Sequence, residues 1–243
     1  MLDALGEAKW FSSTDLTNGF WQVGMHPDSI QKTAFISREE LFEFNVMPFG
    51  VCNGPVTFQR AMDDMLGNYN WKFAMVYIDD INIFSRTFEE HLQHLNLVFQ
   101  RIRKAGLKLN KAKCNFIRKE LLFLGHVVNK DGMSPDPSTV QKILDFLQPR
   151  TIKGLQSFLG LAGYYQKFVK GFSQIAAPLF KLLCNNIAFI WTIDQEEAFN
   201  KLKTTLTTAP ILVYPDFTKK FYLYTDASDS GYGAVLSQKD NEG

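Results

Sequence analysis

Phe73-Ala-Met-Val-Tyr77-Ile78-Asp79-Asp80-Ile-Asn-Ile-Phe84 is the stretch that decides the fold class of this chain. It reads as two short apolar strands joined through Asp79-Asp80. The runs are too apolar to be exposed on both faces, so the hairpin belongs inside a sheet. The aspartates admit two readings. Asp is common in turns, and in a bare hairpin it would do nothing more. Alternatively, a rigid strand tip aims two carboxylates at one spot. Side by side they repel, and one tends to stay protonated unless a divalent cation removes the conflict.

A second strand, Lys9–Thr14, ends at Asp15 before the Asn18-Gly19 turn. If it lies antiparallel beside the hairpin, three carboxylates converge. Oxygen donors with open positions suit Mg²⁺, which keeps waters and binds substrate phosphates. Two such ions ~3.5–4 Å apart would activate a 3′-hydroxyl and stabilise a departing pyrophosphate.

Working outward, Thr33–Ser37 and Leu41–Val46 flank Arg38-Glu39-Glu40 as a hairpin, and Asn53-Gly54-Pro55 starts a helix. Phe58, Ala61, Met62, Met65 and Leu66 form its apolar stripe. A Thr87…Glu90 capping box opens another helix that closes near Gly106, with a stripe through Phe88, Leu92, Leu95, Phe99 and Ile102. Leu121–Val128 reads as one strand, Asp131-Gly132 as a turn and Ser134-Pro-Asp-Pro137 as a linker. Residues 138–183 are mostly helical. Then come a helix around Gln195–Leu206 and strands at Phe221–Thr225 and Gly233–Ser237. Without regular βαβ alternation, the class is α+β.

Composition agrees with a folded chain. Its 243 residues are 46% hydrophobic, 14% aromatic and 21% charged, which excludes a disordered tail or a disulfide-rich mini-protein. No uncharged apolar run is long enough to span a bilayer, so no membrane partner is expected. Cys52, Cys114 and Cys184 suggest reduced thiols in an intracellular protein. The net charge of +1 hides an asymmetry: residues 1–80 hold 5 Lys/Arg against 11 Asp/Glu, residues 101–120 hold 8 against 1, and residues 138–183 hold 6 against 1. A local basic face attracts phosphates whatever distant carboxylates do; solvated helix faces are the plainer explanation. His91 and His94, with Cys114 and His126, lack the spacing of a zinc site.

Several segments together resemble a known family. Phe11-Ser-Ser-Thr-Asp15-Leu-Thr-Asn-Gly-Phe20-Trp-Gln22, Met47-Pro-Phe-Gly50-Val-Cys-Asn-Gly-Pro55-Val-Thr-Phe-Gln59 and Tyr77-Ile-Asp79-Asp80 resemble three successive palm motifs of reverse transcriptases, in the Ty3/gypsy branch of LTR retrotransposons. Leu109-Asn110-Lys111-Ala-Lys113-Cys114, Phe123-Leu-Gly-His126 and Phe158-Leu-Gly-Leu-Ala-Gly-Tyr-Tyr165 continue the resemblance through the thumb. Tyr224-Thr-Asp226-Ala-Ser-Asp-Ser-Gly-Tyr-Gly-Ala-Val235 is similar to the opening of that family's ribonuclease H region.

The resemblance implies a right-hand polymerase palm with an antiparallel sheet over 1–134, a helical thumb over 135–185, and a connection with an incomplete ribonuclease H-like α/β segment over 186–243. It implies an RNA-directed DNA polymerase, part of a longer Pol polyprotein, that takes an RNA or DNA template with primer and deoxynucleoside triphosphates. Asp15, Asp79 and Asp80 match the carboxylates for two Mg²⁺, with Mn²⁺ as a substitute. Lys113 matches the residue that protonates the leaving pyrophosphate. Phe20, Phe49, Gly50 and Gln59 fall at the nucleotide pocket, Phe20 beneath the sugar, where its ring disfavours a ribose 2′-hydroxyl. Core packing for Phe20 and a solvated helix position for Gln59 are the plainer alternatives. Leu124-Gly125 matches the hairpin that grips the primer, and Lys153, Lys167 and Lys170 fall along the duplex. Asp226 matches the first ribonuclease H carboxylate; the other three have no counterpart, so ribonuclease H activity is not expected. The fingers segment also has little counterpart, which leaves a catalytically inactive nucleic-acid-binding remnant as the alternative, and a protein-partner module as a third. By the same resemblance the expected location is cytoplasmic, in virus-like particles.

Overall fold

The computed structural model describes residues 5–6, 8–185, 187–208, 210–215, 218–228 and 231–239. The chain forms two compact units, Met1–Leu121 and Leu122–Gly243.

The first unit runs β1 (Trp10–Asp15), α1 (Pro27–Ile30), β2 (Phe35–Ile36), β3 (Leu41–Phe42), α2 (Gly54–Leu66), β4 (Ala74–Tyr77), β5 (Asp80–Ser85), α3 (Phe88–Lys104) and β6 (Asn115–Arg118). Strands β4-β5-β1-β6 form one antiparallel sheet in that order. Helix α2 starts with Pro55 in its first turn and stops at Gly67, whose φ is +54°. Its stripe of Phe58, Met62 and Leu66 buries in one core with Ala74, Val76, Ile81 and Ile83 of the hairpin. Burying Phe58 alone stabilises by about 2–3 kcal/mol. The helix and the hairpin thus hold each other in place.

Two expectations need correction here. The hairpin turns at Ile78-Asp79, not through Asp79-Asp80, because Asp80 is already the first residue of β5, paired with Tyr77 on one side and Asp15 on the other. On α3 the capping box forms as expected, but the buried face is His91, Leu95, Val98 and Ile102, and Phe88 and Leu92 are exposed. The reason is polar. Buried His91 bonds Ser12 Oγ through Nε2 (2.7 Å) and Ser85 Oγ through Nδ1 (2.9 Å), which turns that face of the helix onto the sheet.

The second unit carries β7 (Glu120–Phe123), which begins at the boundary, β8 (His126–Asn129), β9 (Gly132–Pro135), α4 (Pro137–Leu144), α5 (Ile152–Tyr164), α6 (Phe172–Lys181), α7 (Ile193–Thr207), β10 (Tyr222–Ser228) and β11 (Gly231–Ser237). Strands β7-β8-β9 form a three-stranded sheet. Leu121–Val128 is therefore two strands rather than one. It folds back at Leu124 and Gly125, both with positive φ (47° and 67°), the backbone of a tight hairpin turn. Ser134–Pro137 is not a slack linker either: Ser134 and Pro135 end β9, and the Asp136 carboxylate caps α4 by accepting from the Ser138 N–H at 3.0 Å. The helical reading of 138–183 holds. The Phe158 ring lies against Phe146 and Phe199 at centroid distances of 5.4 and 4.5 Å and anchors the helical core.

Candidate active site

Strand β1 places Asp15 at its C-terminal end, and its antiparallel register sets Asp15 directly opposite Asp80. Residues so paired carry their side chains on the same face, with Cβ atoms ~4.5–5.5 Å apart, where like charges destabilise. Asp79 occupies the adjoining turn, and its carbonyl accepts the Leu16 N–H at 3.2 Å, so the backbone closes around the same spot. Burial pushes the Asp79 carboxyl above its ordinary range, and the charges of Asp15 and Asp80 push it further, while Lys113 opposes them. Asp80 is raised by burial first and Asp15 second, again against Lys113. The charge of Asp15 thus reaches the carboxyls of both Asp79 and Asp80.

Lys113 arrives by a different route. The backbone after α3 returns along the end of β1: Thr17 N–H donates to the Lys108 carbonyl (3.0 Å) and Asn110 N–H to the Asp15 carbonyl (2.8 Å). Gln22 staples this return, donating through Nε2 to the carbonyls of Thr17 (2.6 Å) and Lys108 (3.0 Å) and accepting the Lys108 N–H (2.7 Å). The Lys113 ammonium then meets Asp15 Oδ2 at 3.2 Å, with the carboxylate side chain 19% exposed and the lysine 64%. Such a half-covered pair is worth less than a buried one, but it keeps a proton donor beside the acidic cluster.

Asp79 Oδ1 is buried and has no hydrogen-bond partner. It packs against Gly19, where a Cβ would stand only 1.9 Å from it, and near the Phe58 ring. As placed, no three His, Cys, Asp or Glu side chains among the described residues stand together as a ready metal cage. The donor chemistry nevertheless fits a hard divalent cation: all-oxygen ligands, two carboxyls pushed up by burial and by the charge of Asp15, and an unpaired buried oxygen. Asp15, Asp79 and Asp80 are the residues that would hold it.

Around the carboxylates, the Phe20 ring lies 5.0 Å from Phe58 and 5.3 Å from Phe49, so it is locked into an aromatic cluster, whereas Phe49 itself is 63% exposed. Gly50 adopts φ +87°, a conformation that glycine takes without cost. The Gln59 amide bonds the backbone of the β4–β5 hairpin. In the second unit, the Leu124 carbonyl accepts the Tyr164 hydroxyl and the Gly125 carbonyl the Tyr165 hydroxyl, each at 2.7 Å. Lys153 and Lys170 are exposed, and Lys167 lies by the Phe168 ring and Met133. Asp226 sits in β10 opposite Gly233; its side chain falls outside the described residues. Gly19, Gln22 and the two tyrosines lie inside the motifs quoted above, but the contacts they make as supports of these turns were not expected from those motifs.

A family model described as "Reverse transcriptase (RNA-dependent DNA polymerase)" matches residues 1–128, and one described as "RNase H-like domain found in reverse transcriptase" matches 191–243. The chain is 44% identical over 239 residues to the retrovirus-related Pol polyprotein from transposon 297 of Drosophila melanogaster, covering 98% of this chain and 23% of that protein. It is 35% identical over 232 residues to the transposon Tf2-3 polyprotein of Schizosaccharomyces pombe, covering 96% and 17%. It thus spans about a quarter or less of the length of these curated relatives. Among solved structures, a foamy viral protease–reverse transcriptase in complex with double-stranded DNA matches at a TM-score of 0.88 and 30% identity over 98% of this chain and 42% of that one. A second, in complex with an RNA/DNA hybrid, matches at 0.82 and 29% over 98% and 35%. These relatives bear out the retrotransposon Pol resemblance and the α+β class, and with more than half its length matched, the chain belongs to the reverse transcriptase family.

Proposed function

We propose that the chain is the polymerase core of a retrotransposon Pol polyprotein, adding deoxynucleotides to a primer on an RNA or DNA template. The observation that carries this is the β1–β5 register, which sets Asp15 against Asp80 with Asp79 in the turn and Lys113 on Asp15. Two Mg²⁺ held by these carboxylates would activate the primer 3′-hydroxyl and stabilise the leaving pyrophosphate. The chain's own residues supply the rest. Lys113 holds a proton at Nζ for the leaving group. Phe20, fixed by Phe49 and Phe58, offers a rigid wall to the deoxyribose and leaves no room for a 2′-hydroxyl. Phe49 and Gly50 border the same nucleotide pocket. The Leu124-Gly125 turn and the cations of 135–185 hold the primer and duplex, and 191–243 belongs to a ribonuclease H-like region.

Primer extension by the chain with Mg²⁺ and deoxynucleoside triphosphates tests the proposal. Asp79→Asn should abolish extension while duplex affinity stays within about twofold. Extension that survives Asp79→Asn rejects the carboxylate assignment. Duplex binding with no extension by the unsubstituted chain leaves a nucleic-acid-binding remnant instead.

A further inference from the structure

The Gln59 amide is bonded through both its oxygen and its nitrogen. Its Oε1 accepts the Ile78 N–H at 2.8 Å, and Nε2 spends its two hydrogens on the Val76 carbonyl (3.0 Å) and Asp63 Oδ1 (3.1 Å). Asp63 Oδ1 is itself steadied by Asn70 Nδ2 at 2.9 Å. Both amide hydrogens are therefore taken, and one lone pair on Oε1 is all that is left over. The bonds to residues 76 and 78 bracket Tyr77, the last residue of β4, and so grip the hairpin where the turn begins.

That grip falls on a turn the local sequence does not favour. Ile78 sits at φ +54°, a region that β-branched residues disfavour. Aspartate tolerates such positions better, so Tyr77-Ile78-Asp79-Asp80 by itself would prefer to turn one residue later, at Asp79-Asp80. A slip of one residue would send alternate side chains to the opposite face and take Asp80 out of its place opposite Asp15. Something outside the hairpin must decide the register, and the Gln59 amide is bonded to the residue under strain.

We infer that Gln59 is a positioning residue for the carboxylates, forcing the hairpin to turn at Ile78-Asp79 and so keeping Asp80 in the ladder beside Asp15. The clamp stands on the hydrogen bonds alone; its consequence for catalysis rests on the polymerase reading. Two measurements on the whole chain separate these. In Gln59→Met, which keeps the length and loses the amide, hydrogen exchange at the Ile78 amide should accelerate about tenfold or more, while α3 amides are unchanged. In primer extension the same variant should lose about 10- to 100-fold in kcat, with KM for the nucleotide within about twofold. Adding Ile78→Gly, which makes a positive φ free of strain, should restore part of that loss. If Gln59→Met does not fold, Gln59→Glu carries the exchange measurement: it keeps the acceptor for Ile78, loses the donor to Val76 and should accelerate exchange less. Unchanged exchange at Ile78 overturns the clamp, as does a raised KM at unchanged kcat, which would return Gln59 to the nucleotide pocket. If the unsubstituted chain extends no primer, the polymerase reading fails and exchange alone decides the clamp.

Discussion

Gly19 presents only a hydrogen to the Asp79 carboxylate. A Cβ would fall 1.9 Å from Asp79 Oδ1 and 2.8 Å from the tip of Phe58, and the phenyl ring is buried and cannot withdraw, so the carboxylate must. Gly19→Ala is therefore expected to cut primer extension at least about 100-fold, because an ångström of misplacement at reacting groups costs that much. Circular dichroism should still show a folded chain. Asp79 leads to an opposite trade. Its pKa is raised on folding, so the folded state binds that proton more tightly than the unfolded state does. The stabilising contribution is full below the unfolded value of 3.8 and is lost as pH rises through the folded one; at pH 7 the ionised group opposes folding. Asp79→Asn should accordingly raise the melting temperature at pH 7 in metal-free buffer while it removes extension. A lowered melting temperature would refute the buried-charge account.

At the scale of elements, α3 is fastened to the sheet by imidazoles as well as apolar contacts. Ser85 Oγ meets both His91 Nδ1 and His94 Nδ1, and the His94 ring stacks on Phe73 at 3.8 Å. Burial, helped by the charge of neighbouring His94, lowers the His91 pKa to about 4. The fold prefers the neutral ring, so its contribution is complete above pH 6.5 and fades as pH falls toward 4. Its share of the stability lost in urea unfolding across that window should be about 3 kcal/mol, and His91→Gln should remove that share. The β7–β8 turn invites a second test. Leu124 holds φ +47° with its carbonyl under the Tyr164 hydroxyl. Leu124→Gly should stabilise the second unit by about 1 kcal/mol by relieving strain. Tyr165→Phe, which leaves the Gly125 carbonyl without its hydroxyl, should cost a similar amount.

At the scale of the whole molecule, the proposed duplex binding takes its salt response from the charge distribution. Lys153 and Lys170 are exposed in the basic stretch 138–183, and neutralising either to Gln should reduce the slope of log affinity against log salt by about one. Much of this molecule was legible beforehand. The three aspartates stood at strand ends, α2 announced itself by Pro55 and a stripe at helical spacing, and the capping box of α3 was literal. What escaped has a common cause. The true hairpin turn, the buried face of α3 and the fold-back at Leu124 are each set by a side chain distant in sequence: Gln59, Ser12 and Tyr164. Local propensity carries no record of such partners, and for Ile78 and Leu124 it points the other way.

The double seam at the end of β1 has a mechanical consequence. Because Gln22 bonds both Thr17 and Lys108, and the Asp15 carbonyl takes the Asn110 amide, the acid and the ammonium that faces it ride on one stitched piece of backbone. Motion elsewhere in the chain carries both as one piece, and the ion pair need not be re-formed each time.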